Sequence, residues 1–101
     1  RSRLTAAYDE ALSKCDILLM PTLPITAPPI PASSASPGEI VSRALEMVPN
    51  TPATDLTGHP SISIPCGEVE NLPVGLMLVG RPFEEKLVYK AAHAFEQSES
   101  N

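Results

Sequence analysis

Basic residues are scarce in this 101-residue chain: seven Lys and Arg stand against twelve Asp and Glu, for a formal net charge of −5. Nucleic-acid backbones are gripped by a basic face, so this balance argues against DNA or RNA as a partner. The seven are also scattered, which leaves no polybasic patch for an anionic membrane. Long apolar runs are missing too. The run at 17–20 is far shorter than the roughly 20 residues a bilayer requires, so no membrane span is expected. No basic and apolar leader resembles a signal peptide. The chain begins at Arg1 rather than at methionine, as expected of a processed product or a piece of something longer. Cysteine is limited to Cys15 and Cys66, enough for one disulfide at most. Cys15 ends a predicted helix and Cys66 follows a predicted strand, so two buried free thiols are expected, and with them a reducing, cytoplasmic location.

What is present is the apolar content of a globular protein, 43%, combined with twelve prolines. All twelve lie between Pro21 and Pro82, five of them within 21–31. Proline lacks the backbone donor that helix interiors and central strands use, so much of this region is connection. A chain this short buries a limited fraction of its surface, and one rich in connection has still less to bury. It is expected to lean on something else.

Apolar positions Leu4, Ala7, Tyr8, Ala11, Leu12 and Cys15 recur at three- and four-residue spacing and predict an amphipathic helix over 4–15. The run 16–20, closed by Pro21, predicts a short buried strand. Residues 21–38 read as an extended proline-rich loop, a kind of segment that commonly covers a site. A second helix is expected over 38–47 with Ile40, Val41, Ala44, Leu45 and Val48 as its apolar side. A single helical turn within 51–58, stopped by Gly58, follows. Residues 61–65 alternate polar and apolar as a strand does, a polar loop carries Gly67, Glu68, Glu70 and Asn71, and 74–79 forms the antiparallel mate. In that second strand Val74, Leu76 and Leu78 point one way while Met77 and Val79 point the other. Both faces are apolar, so both need a covering layer. The helix pattern at 84–97, with Leu87, Val88, Ala91, Ala92 and Phe95 inward, supplies one layer. The class is therefore α/β: one edge of a larger sheet flanked by helices, incomplete in this chain.

Asp55, His59, Ser61 and Ser63 bring the residue types of a serine hydrolase into one short stretch. His59 lies in the turn sequence Gly58-His59-Pro60, and neither serine has the strained strand-to-helix turn that exposes a nucleophile, so an in-chain triad is not expected. His59, His93, Cys15 and Cys66 have no ligand spacing, and no metal or cofactor is expected. No glycine cluster joins a strand to a helix N-terminus as a phosphate cradle would. Glu68, Glu70, Glu84 and Glu85 read as solvated charge.

Four segments in order resemble one family over about residues 3–97. Asp16-Ile17-Leu18-Leu19-Met20-Pro21-Thr22-Leu23-Pro24 is similar to the late "D-x-L-x-x-P-T-x-P" segment of amidase-signature enzymes. The stretch 50–67, from Asn50 through Gly58-His59-Pro60 to Pro65-Cys66-Gly67, is similar to their "N-x-x-x-x-x-x-x-G-x-P-x-x-x-x-P-x-G". Leu72-Pro73-Val74-Gly75 with Gly80 resembles "L-P-x-G-x-x-x-x-G", and 91–96 the closing "A-x-x-x-E" helix. The resemblance implies a large mixed sheet flanked by helices. It also implies hydrolysis of a carboxamide to carboxylic acid and ammonia by a serine assisted by a second serine and a lysine. Those three belong to earlier segments, so no catalytic role is carried onto this chain, whose lysines Lys14, Lys86 and Lys90 all sit in helix patterns.

Within the family the form 55–60 followed by 72–75 is most similar to broad-specificity bacterial amidases that act after nitrile hydration. The glutamyl-tRNA amidotransferase A subunit is the nearest alternative, but its "D-P-x-x-M-Y-x-x-D" segment, due between 35 and 50, is not matched by Ser36-Pro37-Gly38-Glu39-Ile40. The expected role is to complete the amidase sheet and wall its acyl pocket. Thr22, Leu23, Pro24, Asn50 and Asp55 are the candidate contacts to a small amide, and the remainder of the domain is the partner. A homo-oligomer is compatible with this reading. A free-standing, non-catalytic interaction module is the rival from another class. Expressed alone, an edge of a larger domain is expected to self-associate through its sheet edge and apolar faces, read by size-exclusion with light scattering; a soluble two-state monomer favours the module.

Overall fold

Prolines and glycines fall where elements begin and end. The computed structural model describes residues 1–99. In chain order these form α1 (Ser2–Ser13), β1 (Leu18–Pro21), α2 (Pro37–Glu46), α3 (Pro52–Thr57), β2 (Ser61–Val69), β3 (Leu72–Val79) and α4 (Glu85–Glu99). Pro37 and Pro52 open α2 and α3, where a missing backbone donor costs nothing. Ser36 caps α2 by accepting from the Glu39 amide at 3.2 Å. Gly58 ends α3 in the left-handed region, φ 78°, with its amide on the Thr54 carbonyl at 2.9 Å.

The three strands form one antiparallel sheet in the order β1-β3-β2. Leu18 pairs with Val79 and Met20 with Met77; on the other side Ser61 pairs with Val79 and Ile64 with Leu76. The hairpin between β2 and β3 is tighter than the polar loop expected from sequence. Gly67 and Glu68 belong to β2, and the reversal is made by Glu70 and Asn71 alone, at φ 52° and 65°. Two successive residues at positive φ make the turn that matches the strand twist. The register slips by one residue between Pro65 and Glu68, where Gly67 takes φ 104°, so β2 is bulged.

Both faces of β3 are covered at its C-terminal half, where Met77, Leu78 and Val79 are all buried. On one face Ile64 and Leu78 pack with Val88 and Ala92 of α4, and Ile17, Ile62, Leu76, Ala91 and Phe95 close around them. A methyl at Gly80 would lie 2.5 Å from Val88 Cγ2, so glycine there is what lets α4 approach the sheet. On the opposite face Thr54 of α3 meets Ser61 at 3.5 Å, and α1 packs on α3 with Leu12 fully buried. Burying each such side chain contributes about 1.5–3 kcal/mol.

The end of α1 is held by one side chain from beyond β3. Arg81 Nη1 donates to the carbonyls of Leu12 (2.8 Å) and Cys15 (2.9 Å), Nη2 donates to Asp16 Oδ1 (3.1 Å), and Nε lies 3.3 Å from Glu84 Oε2. The hydrogen bond to Asp16, with help from the Glu84 charge, raises the guanidinium above its ordinary pKa. A cation on the last carbonyls also suits the helix dipole.

Three expectations require correction. The helix ends at Ser13, two residues short of Cys15, and both Cys15 and Cys66 are free and exposed rather than buried. β1 begins at Leu18 and is a half-covered edge strand, with Leu19 exposed, because α4 lies over β2 and β3 and stops short of it. The apolar side of α2 and of the residues just after it is uncovered. Ile40, Val41, Leu45 and Val48 are exposed, Leu45 by 61%, while Pro29, Ile30, Pro31 and Ala32 of the proline-rich loop share an open groove with its polar side, Glu39, Ser42, Arg43 and Glu46.

The resulting body is a slab of 48 × 41 × 17 Å with a radius of gyration of 16.0 Å, against about 13 Å for a compact chain of this length. Its accessible surface is 7166 Å², where a folded monomer of this mass exposes about 5,500 Å². Replacement of Arg81 by Ala in the full-length protein is expected to lower the thermal midpoint, followed by circular dichroism. Arg81→Lys should not restore it, because one ammonium cannot reach both carbonyls and the carboxylate; full rescue by lysine would contradict the clasp.

Candidate functional site

Four of the five residues expected to face a substrate, Thr22, Leu23, Pro24 and Asn50, fall around the C-terminal end of β1. Thr22 continues the β1–β3 ladder one step past the strand, its amide donating to the Gly75 carbonyl at 3.0 Å. Its hydroxyl lies 2.6 Å from that of Ser63 on β2. The pair spans β3, and it can do so because position 75 carries no side chain: a Cβ there would sit 2.9 Å from both hydroxyl oxygens. Asn50, in the turn that leads into α3, donates from Nδ2 to the Pro21 carbonyl at 3.0 Å. Thr22 and Asn50 are thus brought together on either side of one peptide unit.

Leu23 and Pro24 follow in the chain and are exposed, Leu23 by 39%. Asp55 is exposed on α3, and its carboxylate makes no hydrogen bond or ion pair with another described residue. No hydrogen bond or ion pair joins it to the Thr22–Asn50 group. Ser63 and Gly75 are site neighbours that local sequence does not mark. The alternation of β2 puts Ser63 on the face opposite Ile62 and Ile64, but nothing local points to Thr22 across the sheet.

The stretch with the residue types of a serine hydrolase is not wired as one. His59 is buried at 4% exposure, and its ring contacts neither Asp55 nor a serine. Nε2 lies 2.8 Å from Asp9 Oδ1 on α1, Nδ1 lies 2.8 Å from Thr57 Oγ1, and the Tyr8 ring packs at 5.3 Å between centroids. The reading of His59 as an ordinary turn histidine is therefore incomplete. Its partner is 50 residues away on a helix surface, and no short-range pattern announces it. Among the described residues no group of three or more His, Cys, Asp or Glu gathers as a metal site, and no helix is long and apolar enough to cross a membrane.

Gly75→Ala is expected to destabilise the full-length protein by about 1–3 kcal/mol in chemical denaturation, since the added methyl must displace the Thr22–Ser63 pair. Truncating both hydroxyl partners, Thr22→Ala with Ser63→Ala, should reduce that cost; an equal cost in both backgrounds would contradict the crowding.

Comparison with known proteins places this geometry. The chain is 46% identical over 92 residues to an uncharacterized protein in the nthA 5′ region of Rhodococcus erythropolis, covering 91% of this chain and 46% of that protein. It is 41% identical over 96 residues to the enantioselective amidase of Rhodococcus rhodochrous, covering 95% of this chain and 19% of the relative. It is also 41% identical over 101 residues to the A subunit of the glutamyl-tRNA(Gln) amidotransferase of Methanosarcina barkeri, covering 97% and 20%. The crystal structure of the glutamyl-tRNA(Gln) amidotransferase A subunit from Thermotoga maritima superimposes with a TM-score of 0.65 at 33% identity, over 84% of this chain and 18% of that one. The chain thus spans from under half to about a fifth of the length of these relatives. The amidase family model matches residues 1–89, which is most of the chain, so by this match and by the antiparallel sheet with its covering helices the chain belongs to the amidase family.

Proposed function

We propose that this chain is the C-terminal part of an amide hydrolase, completing its sheet and walling the pocket that receives the acyl group. The uncovered apolar surface carries this reading. The slab is only 17 Å thick, and its excess of roughly 1,700 Å² over a compact monomer is more than the about 800 Å² that one partner contributes to a standard interface. The stripe of α2 points outward, and Phe83, at 95% exposure, holds a left-handed backbone at φ 65° without any packing to compensate it. A non-glycine residue there costs about 1–2 kcal/mol, which contacts with the rest of the domain would offset. That remainder is the partner.

In this reading the serine nucleophile, its assisting serine and the lysine lie in the remainder, and the polypeptide as a whole converts a carboxamide to the acid and ammonia. This chain contributes shape. The Thr22–Ser63 pair and the Asn50–Pro21 bond fix where the loop after β1 leaves the sheet, and Leu23 and Pro24 are then presented as an exposed apolar rim. Two unpaired thiols suit a reducing cytoplasmic location.

A second reading, the A subunit of an amidotransferase, is supported by the 41% identity to the Methanosarcina barkeri protein and by the Thermotoga maritima likeness. The 35–50 stretch weighs against it. There the chain has Ser36-Pro37-Gly38-Glu39-Ile40 at the start of α2 in place of the segment expected of that protein. Turnover of simple carboxamides by the complete polypeptide on its own supports the hydrolase; activity only within a complex of several different chains supports the amidotransferase.

In the complete enzyme, Leu23→Ala is expected to change the ratio of kcat/KM for bulky over small amides by roughly tenfold, as a side chain of this size does in an apolar pocket. Asp55→Asn should shift preference between neutral and charged acyl groups. Unchanged selectivity in both would remove the pocket-wall role.

A further inference from the structure

The geometry around His59 points to a positioning residue: we infer that His59, held by Asp9 and Thr57, sets the placement of the pocket wall from the far end of α3. The inference rests on the pocket-wall reading and adds the part of the molecule that fixes its geometry.

The helix α3 is a short bar. It has six residues, so at 1.5 Å per residue it is about 9 Å long and transmits displacement without bending. Just before its N-terminus is Asn50, whose side chain grips the Pro21 carbonyl next to Thr22 and Leu23. At its C-terminus is Thr57, whose hydroxyl meets both the Nδ1 (2.8 Å) and the backbone amide (3.5 Å) of His59. Beyond the imidazole, Nε2 reaches Asp9 Oδ1 at 2.8 Å, and the His59 side chain has no exposed surface at all.

The proton arrangement is determined by the partners. A carboxylate only accepts, so Nε2–H donates to Asp9; the Thr57 oxygen accepts from the backbone amide, and its hydroxyl pairs with Nδ1, which it can serve as donor or acceptor. Every polar atom of the ring is thereby satisfied. The Tyr8 ring at 5.3 Å closes the remaining side. The result is a continuous tie from α1 through Asp9, His59 and Thr57 to α3, and from Asn50 to the loop that carries Leu23. The imidazole contacts no serine, so its contribution is to geometry and not to bond cleavage.

Only one end of this tie is buried, which makes it testable without emptying the core. Asp9 is 55% exposed at its side chain, so Asp9→Ala removes the anchor from the surface. His59→Leu removes both ring bonds, and His59→Gln retains an amide able to reach Asp9. In the complete enzyme, Asp9→Ala and His59→Leu are each expected to move the bulky-to-small amide selectivity in the same direction as Leu23→Ala. The effect should be up to about tenfold and lie mainly in KM. The double variant should show no more than the larger single effect, because one tie is cut twice, and His59→Gln should recover most of the native ratio. Thermal melts of each variant separate a shifted wall from an unfolded enzyme, with Asp9→Ala serving if His59→Leu does not fold. Additive effects, or native selectivity in a folded Asp9→Ala enzyme while Leu23→Ala still alters it, would overturn the inference. Native selectivity in the Leu23 variant as well would instead overturn the pocket-wall reading beneath it.

Discussion

A strand buried on both faces dictates the rest of this molecule. Met77, Leu78 and Val79 sit side by side in β3 with 3% exposure or less, although alternate residues of a strand point in opposite directions. Such a strand needs a layer on each side. Here α4 supplies one through Val88 and Ala92, made possible by the bare backbone at Gly80. The pair α3 and α1 supplies the other, tied by Thr54 to Ser61 and by Arg81 to the end of α1. The two edge strands, the hairpin turn at Glu70 and Asn71 and the loop after β1 are all registered on that strand.

The same constraint explains what is left uncovered. Layers that close over the C-terminal half of β3 do not extend over its start, over β1 or over α2, and among the described residues only seven apolar side chains are buried. The proline-rich residues before α2 open a groove along its charged side, and its apolar stripe stays exposed. A ten-residue helix is marginal in water without an apolar partner. The chain spans only about a fifth of the Rhodococcus rhodochrous and Methanosarcina barkeri relatives, and its exposed α2 stripe and Phe83 corner are surfaces that further polypeptide could pack against.

Sequence periodicity finds every element, and it fails where long-range contacts decide. The helical stripes of α1, α2 and α4, the stop at Gly58 and the antiparallel hairpin follow from local spacing and turn chemistry. Local chemistry overestimates the hairpin loop because Gly67 and Glu68 look like loop residues, whereas a bulge absorbs them into β2. Residue type alone suggests burial for Cys15 and Cys66, yet each lies where the rest of this chain leaves the surface open. At the candidate site, Thr22 and Asn50 are legible as loop residues at a strand end. Their connection through Pro21, the hydroxyl pair across Gly75 and the Asp9–His59 tie are not, since each joins residues 29 to 50 positions apart with no local signature.

Hydrogen exchange across α2, followed by mass spectrometry on this chain alone and within the full-length protein, measures the central claim directly. If the outward stripe of Ile40, Val41, Leu45 and Val48 is a surface that the rest of the amidase covers, the amides of 40–48 exchange near unprotected rates in the isolated chain and slow by about a hundredfold or more in the whole protein. Equal protection in the two would mean that the slab is complete as it stands.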